Sequence, residues 1–572
     1  RLLSLILVIV LVSNCEQGQE QLALENGVSL ALAENRKARL SFINYKLDFR
    51  IPADVEQRIQ GLEEVTFNLT GAEDDLQLDF RESKDKLQAL TVNGKSQEIL
   101  FENEHIILKA ESLVEGFNKV EINFFAGETS LNRKEDYLYT LFVPDRARTA
   151  FPCFDQPNLK ANFQLTLDIP QNWNAISNAP AGIARIEQGR KNITYEKSDL
   201  ISTYLFSFVA GEFQAITQNS GGREFTLLHR ETDKEKVERN RDFIFYLHAA
   251  SLQWLEEYTG IKYPFKKLDF ALIPAFQYGG MEHVGAIQYR ASSLFLDEDP
   301  SQSRLLGRAS LIAHEVAHMW FGNLVTMDWF NDVWTKEVFA NFMAAKMVNP
   351  SFPEINHDLS FLTRHYPSAY GVDRTQGANP IRQELLNLNE AGQMYGAIIY
   401  NKAPIMMRQL ELLLGEVSFQ KGMQEYLNTY SNKNATWPNL INILDKQTPA
   451  DLNTWSEVWV NTAGRPSFEF TSPTEANGFQ STIVQNDKKG DRNWPQVFRA
   501  KLYNDVKKDV KELQVLSANK PFEINMGADW SDYSTFLNSN GIGYGIYPAS
   551  YELFQNKYES LTDLEKGALL VN

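Results

Sequence analysis

The sequence predicts a multidomain α+β chain from three observations: its length, its globular composition, and three changes of hydrophobic period along it. At 572 residues it exceeds what one core of about 150 residues serves, so several domains are expected. Hydrophobic residues at 43% and aromatics at 12% exclude a disordered or collagen-like chain. Acidic residues outnumber basic ones by 73 to 56, and a net charge of −17 repels phosphate backbones, which excludes nucleic acid as a partner. Two cysteines, Cys15 and Cys153, make no disulfide framework, so ordinary cores must hold the fold.

The first element is an apolar run, Leu2 to Ser13, behind Arg1. A membrane-spanning helix needs about twenty residues, so this shorter run reads as the apolar part of a secretory signal, with a charged start expected ahead of Arg1. Export follows as the expectation. The run stops at Cys15 in VSNCEQGQE, which resembles a bacterial lipoprotein processing site, although Asn14 stands where a small residue is usual. That resemblance implies a lipid anchor on Cys15 in the bacterial cell envelope. The alternative is a simple cleaved signal and a soluble periplasmic or secreted protein. Residues 1–15 are thus assigned to the signal segment and 16–38 to a linker.

Residues 39–222 read as strands: Tyr45, Leu47, Phe49 and Ile51 alternate with Lys46, Asp48 and Arg50, and Phe163, Leu165, Leu167 and Ile169 repeat the pattern. Over 223–463 the period lengthens to that of helices, interrupted by a short apolar strand at Leu268 to Ile273. Alternation returns over 464–548, where Phe498, Ala500 and Leu502 oppose Arg499, Lys501 and Tyr503, and Asn540-Gly541 offers a hairpin turn. A helical pattern resumes over 549–572, read as the start of a truncated helical domain.

The chemistry lies in the middle block. LIAHEVAHMWFG places His314 and His318 four positions apart, so on a helix both imidazoles project from one face and can grip one metal ion. The helix is marked by Asp299 as N-cap, Pro300 in the first turn, Gln302 closing a capping box and Gly322 as C-terminal cap. With eight histidines in the chain, H-E-x-x-H arises by chance only about once in a hundred such sequences. Glu337, eighteen residues beyond His318, is the candidate third ligand: one helix ends, the chain reverses, and an antiparallel helix returns a carboxylate. Two His and one Glu leave a fourth position open, the arrangement of a catalytic rather than a structural zinc. One zinc per chain is expected.

H-E-x-x-H, eighteen residues and Glu, with GGMEH (Gly279 to His283) upstream, resembles the zinc aminopeptidases of the aminopeptidase N and leukotriene hydrolase family. RTAFPCFDQPNLKANF (Arg148 to Phe163) and WVNTAGRPSF (Trp459 to Phe468) extend the likeness over most of the chain. It implies an N-terminal β saddle, a thermolysin-like catalytic domain, a small β-sandwich and a C-terminal helical domain. It also implies a metalloprotease that removes residues from peptides with a free N-terminus. Glu315 becomes the general base, taking the proton of a water that the metal acidifies. Tyr400, in YNKAP, becomes the donor to the oxyanion; Lys402 fits the family's Y-x-K-G segment, while Ala403-Pro404 departs from it.

Glu282 corresponds to the family's amine-binding glutamate, in a substrate-binding loop made of Gly279, Gly280, Met281, Glu282 and His283, where His283 replaces an asparagine. Leu141 and Val143 fall where a second amine-binding Gln or Glu is usual, so a looser hold on the substrate's amine is expected. Lys336 and Val338, flanking Glu337, replace the common Asn and Gly. Cys153 is read as a small buried residue without a role. Two other readings stay open: a non-catalytic peptide-binding lipoprotein that keeps the fold, and an epoxide hydrolase-like activity as in the leukotriene hydrolase branch.

Overall fold

Period-two alternation builds the first domain. The structure, a computed structural model, describes residues 24–471, 481–488, 490, 492–504, 506–517, 522–524, 533–548 and 553–571; the apolar run and Cys15 lie outside them. Tyr45, Leu47 and Phe49 of the strand Leu40–Arg50 are buried, as are Phe163, Leu165, Leu167 and Ile169 of the strand Asn162–Pro170. These strands pair in parallel at the middle of an eight-stranded sheet. Gln60–Leu69, Gly116–Phe125, Leu87–Val92 and Lys95–Gln97 extend it on one side, Arg190–Thr194 and Arg185–Glu187 on the other. Inside, the Phe163 ring stacks between Tyr45 and Phe206, with centroids 4.9 and 4.6 Å away. Cys153 is fully buried beside this core.

Part of the segment expected to be a linker, 16–38, is instead a helix, Leu30–Arg39, that runs directly into the first strand. Ser29 caps it by accepting from the Leu32 N–H. Arg36 is fully buried and donates to both carboxylate oxygens of Asp79, at 2.9 and 2.5 Å. Asp79 also bonds His105 and accepts from the Asp155 N–H, which satisfies a charge that burial alone would not tolerate. The helix buries only Leu32, Ala33 and Arg36. Its apolar period is therefore faint, and the partner that holds it lies 43 residues away.

The expected boundary at 222/223 falls inside a hairpin. Gln214–Ser220 and Arg223–His229 pair antiparallel, and both belong to the five-stranded sheet of the second domain. Alternation continues across that point, so period could not mark where one sheet ends and the next begins. In this sheet Arg223–His229, Asp269–Ile273 and Ala286–Arg290 run parallel, and Gly280–Met281 closes the far edge antiparallel to Ala286–Arg290. The long helix Lys234–Thr259, capped by Asp233 and by Gly260 at φ 70°, lays Phe245 and His248 against Phe270 of the sheet. The domain is helical beyond that, with a sheet larger than the single strand expected.

Past Gly464 two three-stranded sheets close over Phe468, Ile483, Phe498, Ala500, Val515, Leu537 and Tyr547. This is the small β-sandwich. The turn at Asn540-Gly541 forms, with Gly541 at φ 63°, but it does not make a hairpin. The Asn538 side chain accepts from the Gly543 N–H and donates to the Gly543 carbonyl, and the chain then crosses to bridge Ser467 through Ile546. The helix Asp563–Val571 packs on the helix His357–Asp373, where a Cβ at Gly567 would lie 2.6 Å from Leu359. Among the described residues no helix is long and apolar enough to cross a membrane.

Candidate active site

The motif lies on the helix Gln302–Ala317, and its N-cap is Ser301 rather than Asp299. The first unpaired helical N–H groups begin at Gln302, so the acceptor must sit one residue ahead; the Ser301 hydroxyl accepts from the Arg304 N–H. Gly322 is not the cap either, because the helix closes at His318. Gly322 lies in an irregular turn at φ 130°, where a Cβ would stand 3.3 Å from both His318 Nδ1 and Lys336 Cβ. Its lack of a side chain makes room for those two groups.

The facing helix, Val333–Val348, carries Glu337. Ala309 and Ala313 of the first helix meet Ala344 and Val348 of the second, and small residues at this seam let the two approach closely. His314 Nε2 then lies 3.0 Å from His318 Nε2 and 3.7 Å from a Glu337 carboxylate oxygen. Donors around a tetrahedral zinc at about 2.0–2.2 Å stand roughly 3.3 Å apart, so the three fit that ion. The Nδ1–H of His318 donates to the Phe321 carbonyl at 3.1 Å, which turns Nε2 toward the shared point. Burial, and after it the His318 ring, lowers His314 to about 3, so its imidazole is neutral and able to ligate.

Beside this point Glu282 and Glu315 converge, with ligand atoms of Glu282, Glu315 and His318 within 4.8 Å of one another. Glu282 follows the edge strand Gly280–Met281, and the Asn323 amide pins its carbonyl at 2.8 Å. A Cβ at Gly280 would collide with the Glu315 carboxylate, and one at Gly279 would press on Leu311 at 3.3 Å. Both glycines thus let the edge strand lie against the motif helix, while Met281 is buried in the core. Burial, then the carboxylates of Glu282 and Glu337, push the Glu315 carboxyl well above its ordinary range; a dication nearby acts in the opposite sense.

Lys336 decides the state of Glu282. Its ammonium donates to Glu282 Oε1 at 2.5 Å and lies 3.5 Å from Glu337 Oε1. Burial would raise Glu282, but Lys336 and then His318 outweigh it and hold the carboxyl well below the usual range. Burial likewise would lower Lys336, and Glu282, Tyr204 and Glu337 raise it instead. His283 is fully buried and lowered to about 3 by burial, with no hydrogen-bond partner on either ring nitrogen.

Tyr400 stands on a single π-helical turn, Ile398–Lys402, held by Lys402, whose ammonium pairs with Asp373 at 2.8 Å and donates to the Gly464 carbonyl. The Tyr400 ring is 41% exposed and stacks on Tyr395 at 6.3 Å. Its phenol is raised by burial and then by the Glu337 carboxylate, so it stays protonated at neutral pH. Leu141 and Val143 are buried in the main core, leaving no polar group at either position. Sequence reasoning missed Asn323, Tyr204 and Tyr395. Asn323 closely follows the motif and Tyr395 stands five positions before Tyr400, but no local pattern singles out Tyr204, which reaches the site from a distant segment.

Residues 41–205 match the model of the peptidase M1 N-terminal domain, and residues 243–459 that of the peptidase family M1 domain, together more than half of the chain. The chain belongs to peptidase family M1. Among its family relatives, a puromycin-sensitive aminopeptidase of Caenorhabditis elegans is 35% identical over 60% of this chain and 36% of its own length. A leucyl aminopeptidase of Saccharolobus solfataricus is 32% identical over 67% of this chain and 49% of its own. A probable aminopeptidase 2 of Sulfurisphaera tokodaii is 33% identical over 75% and 54%. The chain thus spans from about a third to about half of the length of these family M1 relatives.

Proposed function

We propose that the chain is a zinc-dependent aminopeptidase, which hydrolyses residues from the N-terminal end of peptides with one zinc held by His314, His318 and Glu337. The observation that carries this reading is the convergence of those three side chains beside the buried Glu315. The three relatives above are each named as aminopeptidases. Zinc in that position supplies a Lewis acid and lowers the pKa of a water to about 7. Glu315 takes the proton of the attacking water and passes it on to the leaving amine. Tyr400, protonated and partly exposed, donates to the oxyanion as the carbonyl carbon becomes tetrahedral. The loop of Gly279, Gly280, Met281, Glu282 and His283 lines the place of the N-terminal residue, with Glu282 as its carboxylate.

Release of chromophore from aminoacyl anilides is the direct test. Release is expected, lost with a chelator and restored by zinc; release that ignores the chelator would overturn the reading.

We further infer export to the bacterial cell envelope with a lipid anchor on Cys15, supported by the apolar run that stops at that residue. Metabolic labelling with a fatty acid in a bacterial host is expected to mark the full chain and not its Cys15→Ser variant. An unlabelled, freely soluble product rules out the anchor.

A further inference from the structure

A cavity of about 650 Å³ lies at the seam between the first two domains, a size within the range of small-molecule sites. The N-terminal domain lines it with Ala175 and Ile176 of the strand Asn174–Ser177 and with Tyr195. The catalytic domain adds the start of the strand Arg223–His229, Leu252 of the long helix, and the segment from Phe265 to Asp269. None of the metal-site residues borders it. Ile176, Phe225, Leu252, Phe265 and Leu268 are buried and give it an apolar wall.

Its polar lining has donors to spare and few acceptors. Tyr195 is 2% exposed, and its hydroxyl meets no partner among the described residues. Buried hydroxyls are nearly always paired, so an acceptor belongs beside it. Lys267 uses two of its three N–H groups, on Asp269 Oδ2 at 2.8 Å and on the Gly285 carbonyl at 2.6 Å. Arg223, partly exposed, sets Nη2 on Glu256 at 2.5 Å and carries further N–H groups beyond that bond. Asp269, in contrast, has both oxygens engaged, since the Thr226 N–H donates to Oδ1 at 2.8 Å. The Tyr263 hydroxyl already donates to the Lys267 carbonyl.

The donors also belong together. The Asp269 carboxylate that pairs with Lys267 raises the Tyr195 phenol, after burial, so the two donors flank one acid and the phenol keeps its proton at neutral pH. Arg223, Lys266 and Lys267 stand here against Asp269 and Glu224, a local excess of one positive charge in a chain whose net charge is −17. An occupant that brings an ammonium finds like charges, whereas an anionic acceptor finds a phenol and cations.

We propose that this cavity is a ligand site for a small carboxylate with an apolar body, whose head group accepts from Tyr195 and Lys267 with Arg223 beside it, and whose chain or ring lies on the wall of Phe225, Leu252 and Phe265. The site is independent of the peptidase reading, because it shares no residue with the metal centre.

Calorimetric titration of the full chain with octanoate and with 4-phenylbutanoate tests it, with octylammonium and octanamide as probes of opposite and of no charge. Octanoate is expected to bind once per chain with a Kd of about 1 mM or below, as suits a ligand of its size. Octylammonium and octanamide should bind at least about tenfold more weakly, the range of one charge-assisted hydrogen bond. Tyr195→Phe and Lys267→Gln should each weaken octanoate by about ten- to a hundredfold. Tyr195→Phe should melt no lower than wild type, since it removes a hydroxyl that no described group engages.

No binding at about 10 mM octanoate overturns the proposal. So does octylammonium or octanamide binding as tightly as octanoate. Affinity unchanged in Tyr195→Phe and Lys267→Gln means that octanoate sits elsewhere, at the metal or on the surface, and overturns it too. Lys267 also holds the Gly285 backbone, so if Lys267→Gln does not fold, the isosteric Tyr195→Phe decides alone. A marked fall in the melting temperature of Tyr195→Phe would show that its hydroxyl already has a partner inside the protein, and the assignment would fail.

Discussion

Replacing His318 with alanine is expected to strip the metal and the activity together. His318 and His314 are the two imidazoles that face each other at 3.0 Å, and Glu337 is the remaining donor of the set. Loss of one of three protein ligands leaves too few to hold zinc at the concentration of a purified protein. Outer partners that only orient a ligand already cost about 10- to 100-fold in affinity or activity, so losing the ligand itself should cost more than a hundredfold. Elemental analysis should fall from about one zinc per chain to near none, with hydrolysis lost in parallel. His357, whose ring contacts the Phe352 carbonyl away from the site, supplies the control, and His357→Ala should keep its zinc. Full zinc content in His318→Ala would remove this residue from the ligand set.

Glu315→Gln separates holding the metal from using it. The amide keeps the shape of the side chain beside Gly280 but cannot take a proton, so zinc should stay while kcat falls by about 10² to 10⁴. Tyr400→Phe should lose about 10² to 10³ for the missing donor to the oxyanion. In both, kcat should fall far more than KM rises, because the lost interactions belong to the transition state. Turnover near wild type in Glu315→Gln, with zinc measured at one per chain, would mean that another group is the base.

What the sequence by itself determined is whatever depends on near neighbours. Helical periodicity puts His314, Glu315 and His318 on one stretch of helix whatever surrounds them, and alternation turns Tyr45, Leu47 and Phe49 inward. The gap to Glu337 is long enough for one reversal and short enough to predict it. Even so, the cap moved from Asp299 to Ser301, since which residue ends a helix turns on a single φ/ψ pair. Only the tertiary structure decided that Lys336 pairs with Glu282, 54 positions away, that Arg36 pairs with Asp79, and that Tyr204 and Tyr395 attend the same lysine. Lys336 was visible in the sequence as a departure beside Glu337, but its residue type alone allowed a solvated surface charge as readily as a buried one. The difference is physical: local spacing is set by backbone geometry within a few residues, whereas a buried ion pair exists only when packing brings two distant segments together and removes the water between them.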